Sequence, residues 1–172
     1  MVAMTGKVLL PLLLASAAQA ERVWIFEPGQ TLISVELGPA KARVAATSLG
    51  VKGRVRELDG GAIEADIRLA ASSFTTGSPE RDRKLDKDGE IVFAGRAPGP
   101  GNDGALHLKG TLTYRGVSRP LEIPVHVVRA GGMTFGHASF MLALREFGIP
   151  ADDARIDVDA GLRPETGALA SR

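Results

Sequence analysis

The sequence predicts an all-β protein that forms an antiparallel β-barrel of about eight strands. Apolar and polar residues alternate with a period of two along most of the chain after residue 30. Glycine-containing turn sequences separate the alternating stretches, and no stretch has the pattern of an amphipathic helix, a repeat or a domain linker. The strands are expected near residues 31–37, 51–57, 62–70, 90–95, 105–115, 120–128, 134–145 and 154–162.

The third expected strand shows the alternation clearly, because Ile63, Ala65, Ile67 and Leu69 are separated by charged residues. Successive side chains of a strand point to opposite sides of the sheet, so this strand has one apolar and one polar face. Such a pattern is typical of antiparallel sheets that are buried on one side only. Three further apolar rows are predicted to point inward: Leu106, Leu108, Leu112 and Tyr114; Leu121, Ile123, Val125 and Val127; and Ile156, Val158, Ala160 and Leu162.

Asp-Gly and Gly-Gly pairs stand between the expected strands, at residues 59–61, 88–89, 103–104 and 131–132. Glycine supplies the positive φ of tight hairpin turns, so these pairs predict hairpins. Consecutive hairpins can close into a barrel or stack as a two-sheet sandwich, and periodicity alone does not separate the two. Residues 99–104 match G-x-G-x-x-G, but a dinucleotide-binding loop needs a following helix. An alternating stretch follows instead, so a hairpin loop is predicted there.

The start of the chain has the features of an export signal. Lys7 supplies the positive region, residues 8–14 the apolar core, and Ala18-Gln19-Ala20 the small-residue cleavage site. The apolar core is too short for a membrane-spanning helix, and no later segment is long and apolar enough either. The sequence has no cysteine, which excludes a disulfide framework.

We therefore expect a signal peptide over residues 1–20, cleaved after Ala20, and one barrel domain over residues 21–172. The same features predict a soluble, exported protein of the bacterial periplasm or medium. Beyond Lys7, the only charged residue of the signal, 20 basic residues balance 20 acidic ones. A nucleic-acid partner would require a basic stripe, so none is predicted.

The sequence offers no constellation for catalysis or metal binding. Thiol chemistry is impossible without cysteine, and no G-x-S-x-G elbow occurs. His107, His126 and His137 lie on separate expected strands, and none has a second ligand at the spacing of a preformed metal site. We therefore predict no catalytic residue, no metal and no cofactor.

The charged run at residues 80–88 has two interpretations. It can be a solvated connection between strands, which is the usual role of such runs. It can also be the polar rim of a cavity, with Arg81, Arg83 or Lys84 facing an anionic head group, because arginine matches phosphate geometry.

Three segments together resemble the YceI-like family. They are residues 73–85 (Ser-Phe-Thr-Thr-Gly-Ser-Pro-Glu-Arg-Asp-Arg-Lys-Leu), residues 110–124 (Gly-Thr-Leu-Thr-Tyr-Arg-Gly-Val-Ser-Arg-Pro-Leu-Glu-Ile-Pro) and residues 145–149 (Arg-Glu-Phe-Gly-Ile). The resemblance implies a secreted, lipocalin-like antiparallel barrel with a long apolar tunnel. It also implies an isoprenoid ligand, a polyprenyl lipid or a quinone, that is carried or stored without catalysis.

The chain departs from the family pattern at two places. Gln30 and Lys84 stand where many members carry histidine. Members also have a short helical segment and a Tyr-Pro before the strand that corresponds to residues 90–95, whereas this chain passes from Lys87 to Ile91 through an Asp-Gly turn. These departures predict altered head-group contacts and a more open or shallower tunnel.

The predicted ligand contacts combine the apolar rows with the resemblance. The predicted lining is Ile67, Leu69, Leu108, Leu112, Tyr114, Val125, Phe140, Leu142 and Val158. Arg81 and Arg119 are predicted at the rim, because both lie in the segments shared with the family. The alternative is a structural or protein-interaction barrel whose interior is packed with its own side chains. An enzyme ranks third, because no catalytic constellation is present.

Overall fold

A computed structural model describes residues 21–38, 44–85 and 87–165 of the chain. Within them it contains nine β-strands and one short α-helix. The elements are β1 Arg22–Leu37, β2 Val44–Ser48, β3 Lys52–Glu57, β4 Ile63–Ala70, α1 Pro79–Asp82, β5 Glu90–Ala97, β6 Leu106–Tyr114, β7 Val117–Ala130, β8 Met133–Leu142 and β9 Ala154–Pro164. The predicted signal peptide lies outside the described residues.

All pairings are antiparallel, and β1 closes the sheet by pairing with β9. Eight strands form the barrel, in the order β1-β3-β4-β5-β6-β7-β8-β9. The ninth, β2, lies in line with β3 along the same edge of β1. β3 pairs with the first residues of β1, from Arg22 to Ile25, and β2 with the last, from Ile33 to Leu37. The closed ring confirms the predicted barrel and excludes the two-sheet sandwich.

The structure differs from the prediction in the first two strands. β1 begins at Arg22 rather than near residue 31, because Pro28 and Gly29 interrupt the alternation at a bulge. At this bulge Thr31 is buried and its hydroxyl bonds to the backbone of Gly161 on β9. β2 was not predicted, because its sequence Val-Ala-Ala-Thr-Ser has small side chains and little contrast between its faces.

The apolar rows point inward as predicted, with one exception. Ile63, Leu69, Leu112 and Ile156 are buried in the barrel. Val127 is 37% exposed, because β7 continues past the wall of the barrel toward its turn with β8. Residues 99–104 lie in the connection between β5 and β6, as the hairpin prediction required.

The barrel interior divides into two halves along its axis. One half is solid, and its core includes Ile63, Ala65, Ala97 and Leu108. The other half lies at the end where β4, β6 and β8 finish, and this half encloses the cavity described below. Among the residues that the structure describes, no helix is long and apolar enough to cross a membrane.

Candidate ligand-binding cavity

The second half of the barrel encloses an apolar cavity of about 290 Å³. All lining side chains are hydrocarbon except Tyr114, whose hydroxyl donates to the backbone oxygen of Asp88 at 3.2 Å. The cavity therefore offers a ligand dispersion contacts and no charged partner. Its lining consists of Phe26, Ile33, Val35, Leu37, Ala46, Val51, Ile67, Leu69, Ala71, Phe74, Leu85, Ile91, Phe93, Leu112, Tyr114, Leu121, Ile123, Phe140, Leu142, Leu144, Phe147, Ile149, Ile156 and Val158.

Strand pairing alone does not close the wall around this cavity. β7 and β8 pair only from Val125 and Ala138 toward their turn, so they separate beside the cavity. A 3-10 turn, Leu144–Phe147, fills the opening and packs against β7. Its buried Phe147 and the neighbouring Ile149 complete the lining.

Local bonds fix the conformation of this 3-10 turn. Gly148 follows it with a φ of 74°, the left-handed conformation that glycine adopts at such ends. The Ile149 N–H then donates to the Leu144 carbonyl at 3.2 Å. Arg145 bonds to the Asp152 carboxylate at 3.1 Å and to the Ala151 carbonyl at 3.3 Å. The segment at residues 145–149, Arg-Glu-Phe-Gly-Ile, therefore has a structural role: it fills the gap in the barrel wall between β7 and β8.

The barrel wall has a second place with little strand pairing, between β2 and the segment that follows β4. Only one backbone bridge crosses it among the described residues, with Thr47 and Thr75 bonded in both directions at 2.8 and 2.9 Å. The hydroxyls of Ser48 and Ser73 bond to each other at 2.7 Å beside this bridge. Ser48 is 2% exposed, so this polar pair lies within the wall.

Residues 71–85, which we call the cap segment, cover the open end of the cavity. Phe74 and Leu85 of the cap segment are part of the lining, and α1 lies between them. The charged side chains of the run at residues 80–88 that the structure describes are mostly exposed, and Leu85 of the same run faces the cavity. Both interpretations of this run therefore remain open. The helix α1 ends at Asp82, and the described residues between Lys87 and β5 contain no helix, as the Asp-Gly turn predicted.

Asp82 holds the cap segment in its conformation. Its carboxylate accepts from the Thr75 hydroxyl at 2.6 Å and from the Thr76 N–H at 2.7 Å. The Thr76 hydroxyl donates to the same carboxylate. The hydrogen bonds from Thr75 and then Thr76 lower the pKa of Asp82 to about 2, because they stabilise its charged form.

The structure places seven of the nine predicted lining residues on the cavity: Ile67, Leu69, Leu112, Tyr114, Phe140, Leu142 and Val158. Leu108 and Val125 do not line it. They face inward as predicted, but they lie in and against the solid half of the barrel, beyond Phe93. Alternation gives the face of a strand and not the depth along the axis, which explains the error. Ligand contact remains a prediction for all of these residues.

Both predicted rim arginines are exposed. Arg81 lies on α1, in the cap segment over the cavity. Arg119 is the register partner of Leu112, and its guanidinium donates to the Ser118 carbonyl at 3.0 Å. Lys84, at the place where the family pattern has histidine, is also exposed on the cap segment. Gln30 lies at the β1 bulge against Gly161.

The sequence prediction missed several cavity residues. Phe74, Leu85 and Phe147 lie in connections between strands, where alternation gives no signal. Isolated apolar residues within polar loops could have pointed to them, because a buried loop side chain needs a core to pack against.

The histidines are on the outside of the barrel. Each ring nitrogen of His107 contacts a carboxylate at 2.9 Å, with Nε2 on Asp103 and Nδ1 on Glu122. These contacts, the one with Asp103 first, raise the pKa of His107. Across residues 21–38, 44–85 and 87–165, no group of three or more histidine or acidic side chains is arranged to hold a metal ion.

The fold and the cavity define a class: antiparallel β-barrels with an apolar cavity at one end. The chain belongs to the YceI-like domain family, whose model matches residues 24–163. Three UPF0312 proteins from strains of Vibrio cholerae serotype O1 are 31% identical to it over 130 residues, which cover 72% of this chain. The chain spans 65% of the length of these relatives.

Solved structures share the fold. The crystal structure of Burkholderia cenocepacia BcnA superposes with a TM-score of 0.66 at 16% identity, covering 79% of this chain and 98% of that one. A polyisoprenoid binding domain from Saccharophagus degradans, implicated in plant cell wall breakdown, superposes with a TM-score of 0.64 at 9% identity, covering 83% and 98%. At these identities the similarity demonstrates a common barrel.

Removing the Asp82 carboxylate should loosen the cap segment. In Asp82→Ala, Thr75 and Thr76 lose their shared acceptor, and trypsin should cleave after Lys84 at least about tenfold faster than in the wild-type protein. The residues that flank this bond are unchanged, so the rate reports the opening of the segment. Time-resolved mass spectrometry of the fragments measures it.

Glu80→Ala is the matched control, because it removes the same charge from α1 without touching the two threonines. Equal cleavage of both variants would show that the Asp82 bonds do not hold the cap segment.

The stabilisation of the cap segment by the Asp82 bonds should decrease as the pH falls. The pKa falls from its usual value of about 3.9 to about 2, so the stabilisation is complete above pH ~4 and is lost as the pH falls through 2.

Proposed function

We propose that the protein binds one isoprenoid lipid non-covalently in the cavity, as a carrier or store. The observation that carries this proposal is a half-open space of about 290 Å³ whose lining, among the described residues, offers a single hydroxyl and no charge. Membership of the YceI-like family supports the proposal, as does the similarity to a structure described as a polyisoprenoid binding domain. Polyprenyl lipids and isoprenoid quinones both fit this chemistry.

The binding energy would come from the hydrocarbon. Burial of apolar surface contributes roughly 25 cal/mol per Å², before the cost of ordering the chain. The volume stands near the lower end of the range of about 300–1,000 Å³ for small-molecule sites. The cavity therefore suits a short prenyl group or one part of a longer tail, and the remainder would extend past the cap segment.

The head group would remain at the rim. Arg81 on the cap segment and Arg119 beside the β6–β7 turn are exposed cations that can bond to a phosphate or a quinone oxygen. Among the described residues Arg81 has no ion-pair partner, and its guanidinium N–H groups can donate to an anionic head group. Both arginines remain predicted, not demonstrated, ligand contacts.

The proposed function includes no chemistry on the lipid. Among the residues that the structure describes, the lining supplies no nucleophile, no carboxylate and no histidine, and the Tyr114 hydroxyl is already bonded to the backbone of Asp88. A reaction at the buried tail would therefore have no general acid or base within the cavity.

We also propose that the protein works in the bacterial periplasm or medium, after cleavage of residues 1–20. The charged start, the apolar core and the Ala18-Gln19-Ala20 site support this location. N-terminal sequencing of the protein recovered from the periplasmic fraction should begin at Glu21. An intact Met1 end in the cytoplasmic fraction would contradict the proposal.

A charge in the cavity lining should abolish lipid retention. Leu112 is 9% exposed and lines the cavity, so the carboxylate of Leu112→Asp would be unpaired against the lipid tail. Leu85→Asp tests the same point from the cap segment, where the barrel fold depends less on the side chain. Each variant should retain at least tenfold less farnesol or ubiquinone than the wild-type protein, as an order of magnitude for an unpaired buried charge.

Thr111→Asp is the matched control, because Thr111 precedes Leu112 on β6 and is exposed. It should retain lipid at the wild-type level, and circular dichroism should show that all three variants are folded. Equal retention in folded Leu112→Asp and Leu85→Asp would contradict binding in the cavity.

In the same assay, Arg81→Ala should weaken retention of farnesyl phosphate more than retention of ubiquinone. Equal losses for the two lipids would contradict the proposed contact between Arg81 and the head group.

A further inference from the structure

Phe93 stands at the boundary between the cavity and the solid half of the barrel. It is 4% exposed, lines the cavity, and belongs to a core cluster that contains both cavity-lining residues such as Leu112 and residues of the solid half such as Ala97. Its ring lies along β5 against Gly95. A Cβ atom at Gly95 would be only 2.5 Å from the ring Cζ. The ring therefore occupies space that exists only because residue 95 has no side chain.

The surroundings of this ring are built from small residues. Gly95 pairs with Ala65 on β4 and with Gly110 on β6, so three neighbouring strands present no large side chain at this level. Ala97, the next residue on the same face of β5, is fully buried. On β4, β5 and β6 the Phe93 ring is thus the bulky group between the cavity and the next layer of the barrel, whereas on β7 Leu121 and Ile123 line the cavity at and beyond this level.

We propose that Phe93 is the floor of the cavity and sets the length of hydrocarbon that the protein accepts. The inference rests on the proposed lipid binding and adds a specificity-determining residue to it. A prenyl chain that enters past the cap segment ends at the ring, and units that do not fit remain in water. Those units contribute no apolar burial, so the affinity stops increasing at the length that reaches Phe93.

Substitutions at two positions, Phe93 and Gly95, should move this floor in opposite directions. Phe93→Ala removes the ring and joins the cavity to the space over Ala65 and Gly95. Phe93→Leu does so partly and with less risk to the fold. Gly95→Ala should displace the ring into the cavity, because the cavity is the adjacent space that is not filled by side chains.

Gly136→Ala is the matched control for Gly95→Ala. Both glycines have a φ outside the left-handed region, so alanine introduces no backbone strain at either. A Cβ atom at Gly136 would contact Val125 Cγ1 at 3.3 Å and would not contact Phe93. The control therefore adds a methyl group to the barrel interior without displacing the floor.

The experiment measures the affinities for geraniol, farnesol and geranylgeraniol, which differ only in chain length, by displacement of a fluorescent apolar probe. The readout is the ratio of the Kd values for a longer and a shorter alcohol. Phe93→Ala and Phe93→Leu should shift this ratio toward the longer alcohols by about tenfold, and Gly95→Ala toward geraniol by a similar factor. Gly136→Ala should keep the wild-type ratio, and thermal unfolding confirms that each variant is folded.

The outcomes separate this inference from the proposed function. If the wild-type protein binds the alcohols and the folded Phe93 and Gly95 variants keep its length preference, Phe93 does not set the accepted chain length. The proposed lipid binding is then unaffected. If the folded wild-type protein binds none of the alcohols, lipid binding itself is overturned, and the role of Phe93 in selecting a chain falls with it.

Discussion

The strands β7 and β8 pair only between Val125–Ala138 and their turn, and they separate on the cavity side of these two residues. The cavity therefore depends on how the barrel wall is completed in this gap. The 3-10 turn Leu144–Phe147 fills that opening, and the single Thr47–Thr75 bridge joins β2 to the cap segment on another side. Around the solid half, strand pairing closes the wall, with an interruption at the β1 bulge between Phe26 and Thr31. Loop segments make fewer cooperative bonds than a sheet, so the walls of the cavity are the part of the barrel that can open at least cost.

This division explains the positions of the segments that identify the family. Residues 73–85 cap the cavity, and residues 145–149 plug the gap between β7 and β8. The third segment, residues 110–124, contributes Leu112 and Tyr114 to the lining. The shared property of the three segments is the closure of an apolar space, which is the property that the proposed lipid binding requires.

The sequence predicted the barrel well because strand alternation is a direct consequence of backbone geometry. Residues two apart on a strand share one face, so the row Ile63, Ala65, Ile67 and Leu69 lies on the apolar, inward face of β4. It could not predict features that depend on tertiary contacts. β2 lacks contrast between its faces, and α1 is fixed by the acceptor role of Asp82. Leu108 was misplaced because alternation gives the face of a strand and not the depth of a residue along the barrel axis.

Native mass spectrometry of the protein, purified from its own host without detergent, shows whether the cavity holds a lipid in the organism that makes the protein. We expect a species heavier than the bare chain by the mass of one lipid, and an isoprenoid recovered from it by solvent extraction. A bare protein mass, with no lipid in the extract, would overturn the proposed lipid binding and would favour a barrel that serves as a structural or interaction module.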